Sequence, residues 1–245
     1  RSVQKMFHIV ALALAASVAL PAVAQDASGP ILFTNVNVFD GVNEALIENA
    51  NVVVTDNLIT AVSTEPLAVA GGRVIDGGGR TLMPGLTDCH WHSMAANYSG
   101  NAFALGEGKL NLVAADGAEK TLMRGFTTVR DVGGNVFDLK SVIDEGMYVG
   151  PRMYAAGSMI SQTSGHADFR SPIEIPQSYS RDLTPQERMG SVAIADGRAQ
   201  VMQRVRENLM RGAAFIKLMG GGGVASPSDP LDVSQYTIDE IAAAV

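Results

Sequence analysis

The sequence predicts an α/β protein in two parts: a small β-sandwich segment, then the N-terminal part of a (β/α)8 TIM-like barrel. Three observations carry this expectation. Residues 31–76 read as short strands separated by turn signals, with no stretch of helical period. After Met83, strand-like and helix-like stretches alternate, which implies parallel strands. A long polar segment follows the third of these strands, which suits the loop-bearing face of a barrel better than a minimal open sheet. About 160 residues follow Met83, against roughly 250 for a whole barrel. The chain therefore reads as a front half, with sheet edges and helix faces that such a half leaves uncovered.

The elements follow in order. Residues 1–24 have the make-up of a secretory signal peptide: basic Arg1 and Lys5, an apolar run over 7–20, Pro21, and small Ala22-Val23-Ala24 before cleavage near Ala24-Gln25. Export to the periplasm or medium is expected. The apolar run is shorter than the ~20 residues a spanning helix needs, so no membrane attachment is expected after cleavage. Residues 25–82 form the β-sandwich segment, with turns at Asp40-Gly41, Asp56-Asn57 and Gly71-Gly72, and Gly77-Gly78-Gly79 near its boundary. Residues 83–245 form the half-barrel. Its strands are expected at 86–92, 126–131, 152–156 and 214–219. Its helices are expected at 110–124, 137–144 and 197–211, with a last one beginning at Thr237. In the first helix Leu112, Val113, Ala115, Leu122 and Met123 are read as apolar contacts. In the third, Asp196 is read as N-cap and Ala199, Met202, Val205 and Leu209 as the inward face. Thr237 and Glu240 have capping-box spacing. Residues 158–195 are read as polar loop.

Bulk composition narrows the function classes. The chain is 47% hydrophobic and 18% charged, a globular rather than disordered composition. Leader cleavage removes two positive charges from a formal net charge of −7, leaving −9. An acidic surface without basic runs argues against nucleic acid as a partner. A homo-oligomer is left open. Cys89 is the single cysteine, so no internal disulfide forms. It is expected to pack as a small apolar residue behind the histidine face.

The chemistry-bearing residues cluster at strand ends. In Met83-Pro84-Gly85-Leu86-Thr87-Asp88-Cys89-His90-Trp91-His92, strand alternation would turn Asp88, His90 and His92 to one face and Cys89 and Trp91 to the other. Two residues along a strand span about 6.6 Å, so both imidazoles could reach one metal at about 2.0–2.1 Å. An ordinary histidine pair is the alternative. Lys217 interrupts the apolar run 213–219, where a lysine is costly. It is either a snorkelling side chain or a lysine whose pKa is lowered by desolvation. A neutral amine of that kind can take up carbon dioxide as a carbamate, an anion suited to bridging two divalent metals. The following Gly220–Gly223 run lacks a P-loop ending. Pro227 and Pro230 stand where a dinucleotide-binding helix would begin. A glycine-rich turn here instead lets backbone approach a ligand.

Several stretches together carry a family resemblance. They are Leu82-Met83-Pro84-Gly85-Leu86-x-Asp88-x-His90-x-His92, Gly125-Phe126-Thr127-Thr128-Val129-Arg130-Asp131, Ser164-Gly165-His166-Ala167-Asp168, Gly212-Ala213-Ala214-Phe215-Ile216-Lys217 and Gly222-Gly223-Val224-Ala225-Ser226-Pro227-Ser228-Asp229-Pro230. With them the chain resembles the amidohydrolase superfamily, and within it the imidazolonepropionase-like branch that includes Xaa-Pro dipeptidases. The resemblance implies that His90, His92 and a carboxylated, bridging Lys217 are ligands of two divalent metal ions, expected to be zinc. It implies a substrate contact for His166, whose alternative is a loop histidine bonding its neighbours. Arg130 and Asp131, at the end of the second strand, are read as structural, as salt bridge or turn cap. The resemblance also calls for a histidine after each of the fifth and sixth strands and an aspartate after the eighth, all beyond residue 245. The implied reaction is metal-activated hydrolysis of a dipeptide or small-molecule amide. The alternatives are a cyclic-amide C–N hydrolase and an inactive truncated fragment.

Overall fold

The structure is a computed structural model that describes residues 29–176, 182–224, 226 and 228–245. The expected leader at 1–24 lies outside the described residues. The chain divides into two compact units, Arg1–Pro84 and Gly85–Val245.

The first unit is one five-stranded sheet built from β1 (Ile31–Val38), β2 (Ile47–Thr55), β3 (Leu58–Ser63), β4 (Arg73–Asp76) and the two-residue β5 (Thr81–Leu82). The order is β3-β2-β1-β4, and β5 also pairs with β1. The hairpin at Asp56-Asn57 closes with Thr55 opposite Leu58, and Asp56 takes the left-handed conformation such turns require (φ 52°). Val36, Ala50 and Val52 are buried on one face, with Phe33, Val38, Val54 and Leu82 packed around them. Among the described residues the segment expected as a sandwich contributes this single layer.

In the second unit, β6 (Leu86–Trp91), α1 (Glu107–Met123), β7 (Phe126–Asp131), α2 (Phe137–Asp144) and β8 (Arg152–Ala155) make two successive parallel crossovers. The sheet order is β6-β7-β8. Val129, Met153 and Ala155 are buried on the helix side of this sheet against Leu110, Ala114, Ala118 and Leu139. Leu110, Ala114, Ala118 and Thr121 recur at helical spacing and form the inward stripe of α1. This corrects the expected apolar set, because Leu112 and Met123 are 73% and 77% exposed. Gly125 stops α1 in the left-handed region (φ 94°) and returns its N–H to the Leu122 carbonyl.

The segment expected as polar loop contains two strands, β9 (Met159–Ser161) and β10 (Val192–Ile194), paired in parallel and buried throughout. Between them lies the short α3 (Pro185–Arg188), opened by a Thr184–Glu187 capping box. The helix α4 (Arg198–Met210) also differs from expectation. Its buried residues are Val201, Val205 and Asn208, and Leu209 is half exposed. Asn208 belongs inside because its amide satisfies both the N–H and the carbonyl of Ser158. Asp196 does not cap α4. Gly197 holds that position, and the Asp196 carboxylate accepts instead from the N–H and hydroxyl of Thr163.

The expected fourth strand is irregular. Residues 214–219 run beside β8 and β9 through three backbone bonds: Ala214 N–H to Ala155, Ile160 N–H to Lys217, and Met219 N–H to Ile160. Only Leu218 forms a ladder bridge, to Ile160. A last helix, α5 (Ile238–Ala244), opens with the expected Thr237–Glu240 capping box. Among the described residues no helix is long and apolar enough to cross a membrane.

Candidate metal centre

The histidine pair sits at the C-terminal end of β6, where the ladder is broken. Thr87 pairs with Thr128, and Asp88 with Val129. The register then slips, so that Trp91 faces Asp131. The cause is local: the Asp88 carboxylate accepts the His90 N–H at 2.9 Å, which removes that donor from the ladder. One extra residue accumulates on β6, as in a β-bulge. The simple alternation expected for residues 88–92 is therefore corrected. Trp91 packs on the helix-side core. Cys89 is exposed rather than packed behind the histidines. It lines an open groove of about 320 Å³ with Thr87, Thr128, Arg130, Tyr154, Ala214 and Phe215.

The bulge brings the two imidazoles together. Their ring centroids lie 5.5 Å apart, with the planes tilted by 57°. His92 is half-buried, and its Nδ1 lies 3.3 Å from the Gly133 carbonyl. A carbonyl only accepts, so Nδ1 carries the proton and the Nε2 lone pair is left for a ligand. Both imidazole pKa values are lowered. Burial is the main cause for each, and the Lys217 ammonium adds to it. The Gly133 bond works in the other direction on His92. Both shifts favour the neutral imidazole, the form that binds metals.

Lys217 is close enough to both rings to act on their charge. Its own pKa is lowered, by burial first and by the Arg130 guanidinium second. Arg130 lies over the Phe215 ring (5.1 Å) and donates to the Cys89 carbonyl at 2.8 Å, so it ties β6 to the 214–219 segment. Its expected role as half of a salt bridge is replaced by these contacts. The neighbouring Asp131 is a turn cap, as expected. It is fully buried and accepts from the backbone N–H groups of Ser93 and Gly133. Burial pushes its carboxyl up to about 6, against those bonds.

The donor set fits a divalent metal. Two imidazoles, one of them oriented by Gly133 to ligate through Nε2, lie near a lysine whose pKa is lowered by burial. Among the described residues no three His, Cys, Asp or Glu side chains gather into a metal-binding group. Lys217 could add a donor to the two imidazoles only as an anion such as a carbamate.

His166 belongs to a neighbouring cluster. Its Nδ1 lies 3.0 Å from Ser226 Oγ and 3.1 Å from Asp229 Oδ2. Ser, His and Asp are the residue types of a hydrolytic triad, but a relay needs one partner on each ring nitrogen. Both partners meet Nδ1 here, so the group is a clamp. Asp229 is buried and also takes the Gly223 N–H at 2.8 Å. The ring lies against Gly223, where a Cβ would sit 2.1 Å from His166 Cε1. Gln235, 1% exposed, accepts the His166 N–H. The adjacent Tyr236 holds a strained left-handed backbone (φ 66°), with its N–H bonded to Gln162 Oε1. The roles of Asp229, Gln235 and Tyr236 were not legible in sequence. Asp229 enters there only as part of the stretch 222–230, and nothing local to Gln235 or Tyr236 signals their partners about 70 residues away.

The two clusters share a small core. Met219, two residues after Lys217, and Ala167, next to His166, pack together with Met159 and Val192. A Cβ at Gly133, the residue bonded to His92, would lie 2.3 Å from Met159 Cγ.

A model of the Amidohydrolase family matches residues 81–245. The chain belongs to the amidohydrolase family. Among curated proteins this amidohydrolase is 32% identical over 207 residues to ochratoxinase from Aspergillus niger, covering 80% of the chain and 43% of that protein. Among solved structures it resembles a prolidase complexed with N-methylphosphonate-L-proline (36% identity, TM-score 0.77, 88% of this chain and 52% of that one). It also resembles a Xaa-Pro dipeptidase with bound methionine in the active site (29% identity, TM-score 0.73, 88% and 53%). The chain thus spans about half the length of the relatives it matches, which accords with a partial barrel.

Proposed function

We propose that this chain supplies the first-strand and fourth-strand ligands of a metal-dependent hydrolase of C–N bonds, acting on a dipeptide of the Xaa-Pro kind or a related small amide. The observation that supports the reading is the His90–His92 ring pair, with centroids 5.5 Å apart, near enough to Lys217 for its charge to lower both imidazole pKa values. His90 and His92 bind through neutral imidazoles. Lys217, as free amine, attacks the carbon of carbon dioxide and loses a proton to solvent, and the resulting carbamate oxygens serve as ligands. When bound, a pair of divalent metals, expected to be zinc, lowers the pKa of water and polarises the scissile carbonyl. The remaining ligands are proposed to come from the part of the relatives' length that this chain does not span. Burial first, and Arg130 second, lower the Lys217 pKa and so raise the share of its free amine. The His166–Asp229 clamp holds Gly223, so that its backbone can line the substrate side. Export to the periplasm remains part of the proposal.

The solved relatives favour a dipeptide, since two of them are named as a prolidase and a Xaa-Pro dipeptidase. Ochratoxinase favours a bulkier amide as second reading. A panel of Xaa-Pro and other dipeptides, N-acyl amino acids and cyclic amides, assayed with the full-length protein, separates these. Hydrolysis of Xaa-Pro dipeptides is expected. Turnover of cyclic amides alone would overturn the dipeptide reading.

A further inference from the structure

We infer that Asp131 is a positioning residue: it fixes the turn that sets His92 in its ligating tautomer. This rests on the reading of His92 as a metal ligand and names a group beyond the ligands themselves.

The argument follows the bonds outward from the imidazole. His92 Nδ1 donates to the Gly133 carbonyl at 3.3 Å. Gly133 is itself held from behind, because its N–H donates to Asp131 Oδ1 at 3.2 Å. The other carboxylate oxygen, Oδ2, accepts the N–H of Ser93, the residue after His92, at 2.7 Å. One carboxylate therefore grips both ends of the contact, the backbone beside the donor and the residue carrying the acceptor. Backbone bonds run in parallel with it: Val132 N–H to the Trp91 carbonyl and Ala156 N–H to the Asp131 carbonyl. Gly133 has no freedom to grow. A Cβ there would meet Met159 Cγ at 2.3 Å and His92 Cε1 at 3.3 Å.

The chemistry explains why an aspartate stands here. Its partners, the N–H groups of Ser93 and Gly133 and the Ser93 side chain, all donate, so the residue must accept on both oxygens from a site with no exposure to water. Aspartate has two acceptor oxygens. Asparagine, of the same size, would set its NH2 against one of the two N–H groups. Keeping a buried carboxylate has a cost, and core packing gives no return for it. A structural turn could be closed by the backbone alone. The return lies in the tautomer, because an imidazole released from Gly133 also populates the Nε2–H form, whose Nε2 cannot ligate.

The test is Asp131→Asn in the purified protein, read in two ways. Long-range 1H–15N spectra of the metal-free protein report the His92 tautomer. Cobalt(II) titration, followed by its visible absorption, reports metal affinity. The native protein is expected to show His92 as Nδ1–H. The variant is expected to show a tautomer mixture and about 10- to 100-fold weaker cobalt binding. A merely structural role would lower the melting temperature and leave both readouts unchanged in the folded protein. Native His92 in the Nε2–H form overturns the inference without need of the variant. So does an Asp131→Asn protein that keeps the native tautomer and affinity. If His92→Ala leaves cobalt binding of the native protein unaltered, it is the underlying ligand reading that fails.

Discussion

Gly223→Ala gives a sharp perturbation, because the added methyl has a single target. Gly223 does not occupy the left-handed region, so alanine fits its backbone and gains about 0.4–1 kcal/mol from a stiffer unfolded chain. Against this, the new Cβ would lie 2.1, 2.6 and 2.7 Å from His166 Cε1, Nδ1 and Nε2. Contact between such atoms needs about 3.5 Å, so the ring must retreat by more than ~1 Å. The Nδ1 contacts at 3.0 and 3.1 Å then open past bonding range. Loss of a hydrogen bond to a charged group costs about 1.5–3 kcal/mol. Asp229 keeps the Gly223 N–H, so it is not stripped bare. The net is about 1–2 kcal/mol of destabilisation, or a fall in melting temperature of roughly 2–8 °C for a chain of this size. Calorimetry of Gly223→Ala, His166→Ala and the double variant checks the mechanism. With the imidazole gone the methyl has room, so the double variant should cost less than the sum of the singles by ~1 kcal/mol or more. Additivity within about 0.5 kcal/mol would refute the clamp.

Three further outcomes follow from the same geometry. Lys217→Ala should lose bound metal and activity, with partial rescue by short carboxylic acids that replace the carbamate; normal metal content in that variant counts against carboxylation. His92 has a folded pKa below its ordinary 6.5, so its contribution to stability is present above pH 6.5 and is lost as pH falls through the folded value. Asp131 has the opposite sign, since it takes up its proton in the folded state between about 6 and 3.8. The melting temperature of His92→Gln should therefore fall less than that of the native protein between pH 6.5 and 5, and equal falls would contradict this. Ile160→Ala removes a fully buried side chain from the strand bonded on both sides of Lys217. It should cost about 2–5 kcal/mol in a denaturant melt, and a loss below ~1 kcal/mol would show that the 214–219 segment is not anchored there.

What the sequence conveyed depended on how far each signal reaches. The helices α1 and α2 and the strand β7 are bounded by glycine stops and carry their own period, so they were legible. The strands β9 and β10 have three residues each and are buried throughout. No alternation can show in three buried residues, and their neighbours are polar. The inward face of α4 was misread because a buried asparagine does not look like core until the Ser158 backbone it satisfies is known. Cys89 was placed on the wrong side because one bond from Asp88 to the His90 N–H shifts the strand register. His90 and His92 stood out by type and by their place at the end of β6, and Lys217 by interrupting the apolar run 213–219. The bonds that orient His92, from Gly133 and Asp131, come from the next strand and its loop and leave no local mark.

The most direct test of a metal centre on this chain is a crystal of the zinc-loaded full-length protein measured across the zinc absorption edge. The expected result is an anomalous peak about 2.0–2.1 Å from Nε2 of both His90 and His92, with Lys217 modified and its oxygens in the same coordination sphere. A peak bound through His92 Nδ1, or zinc elsewhere with an unmodified Lys217, would contradict it.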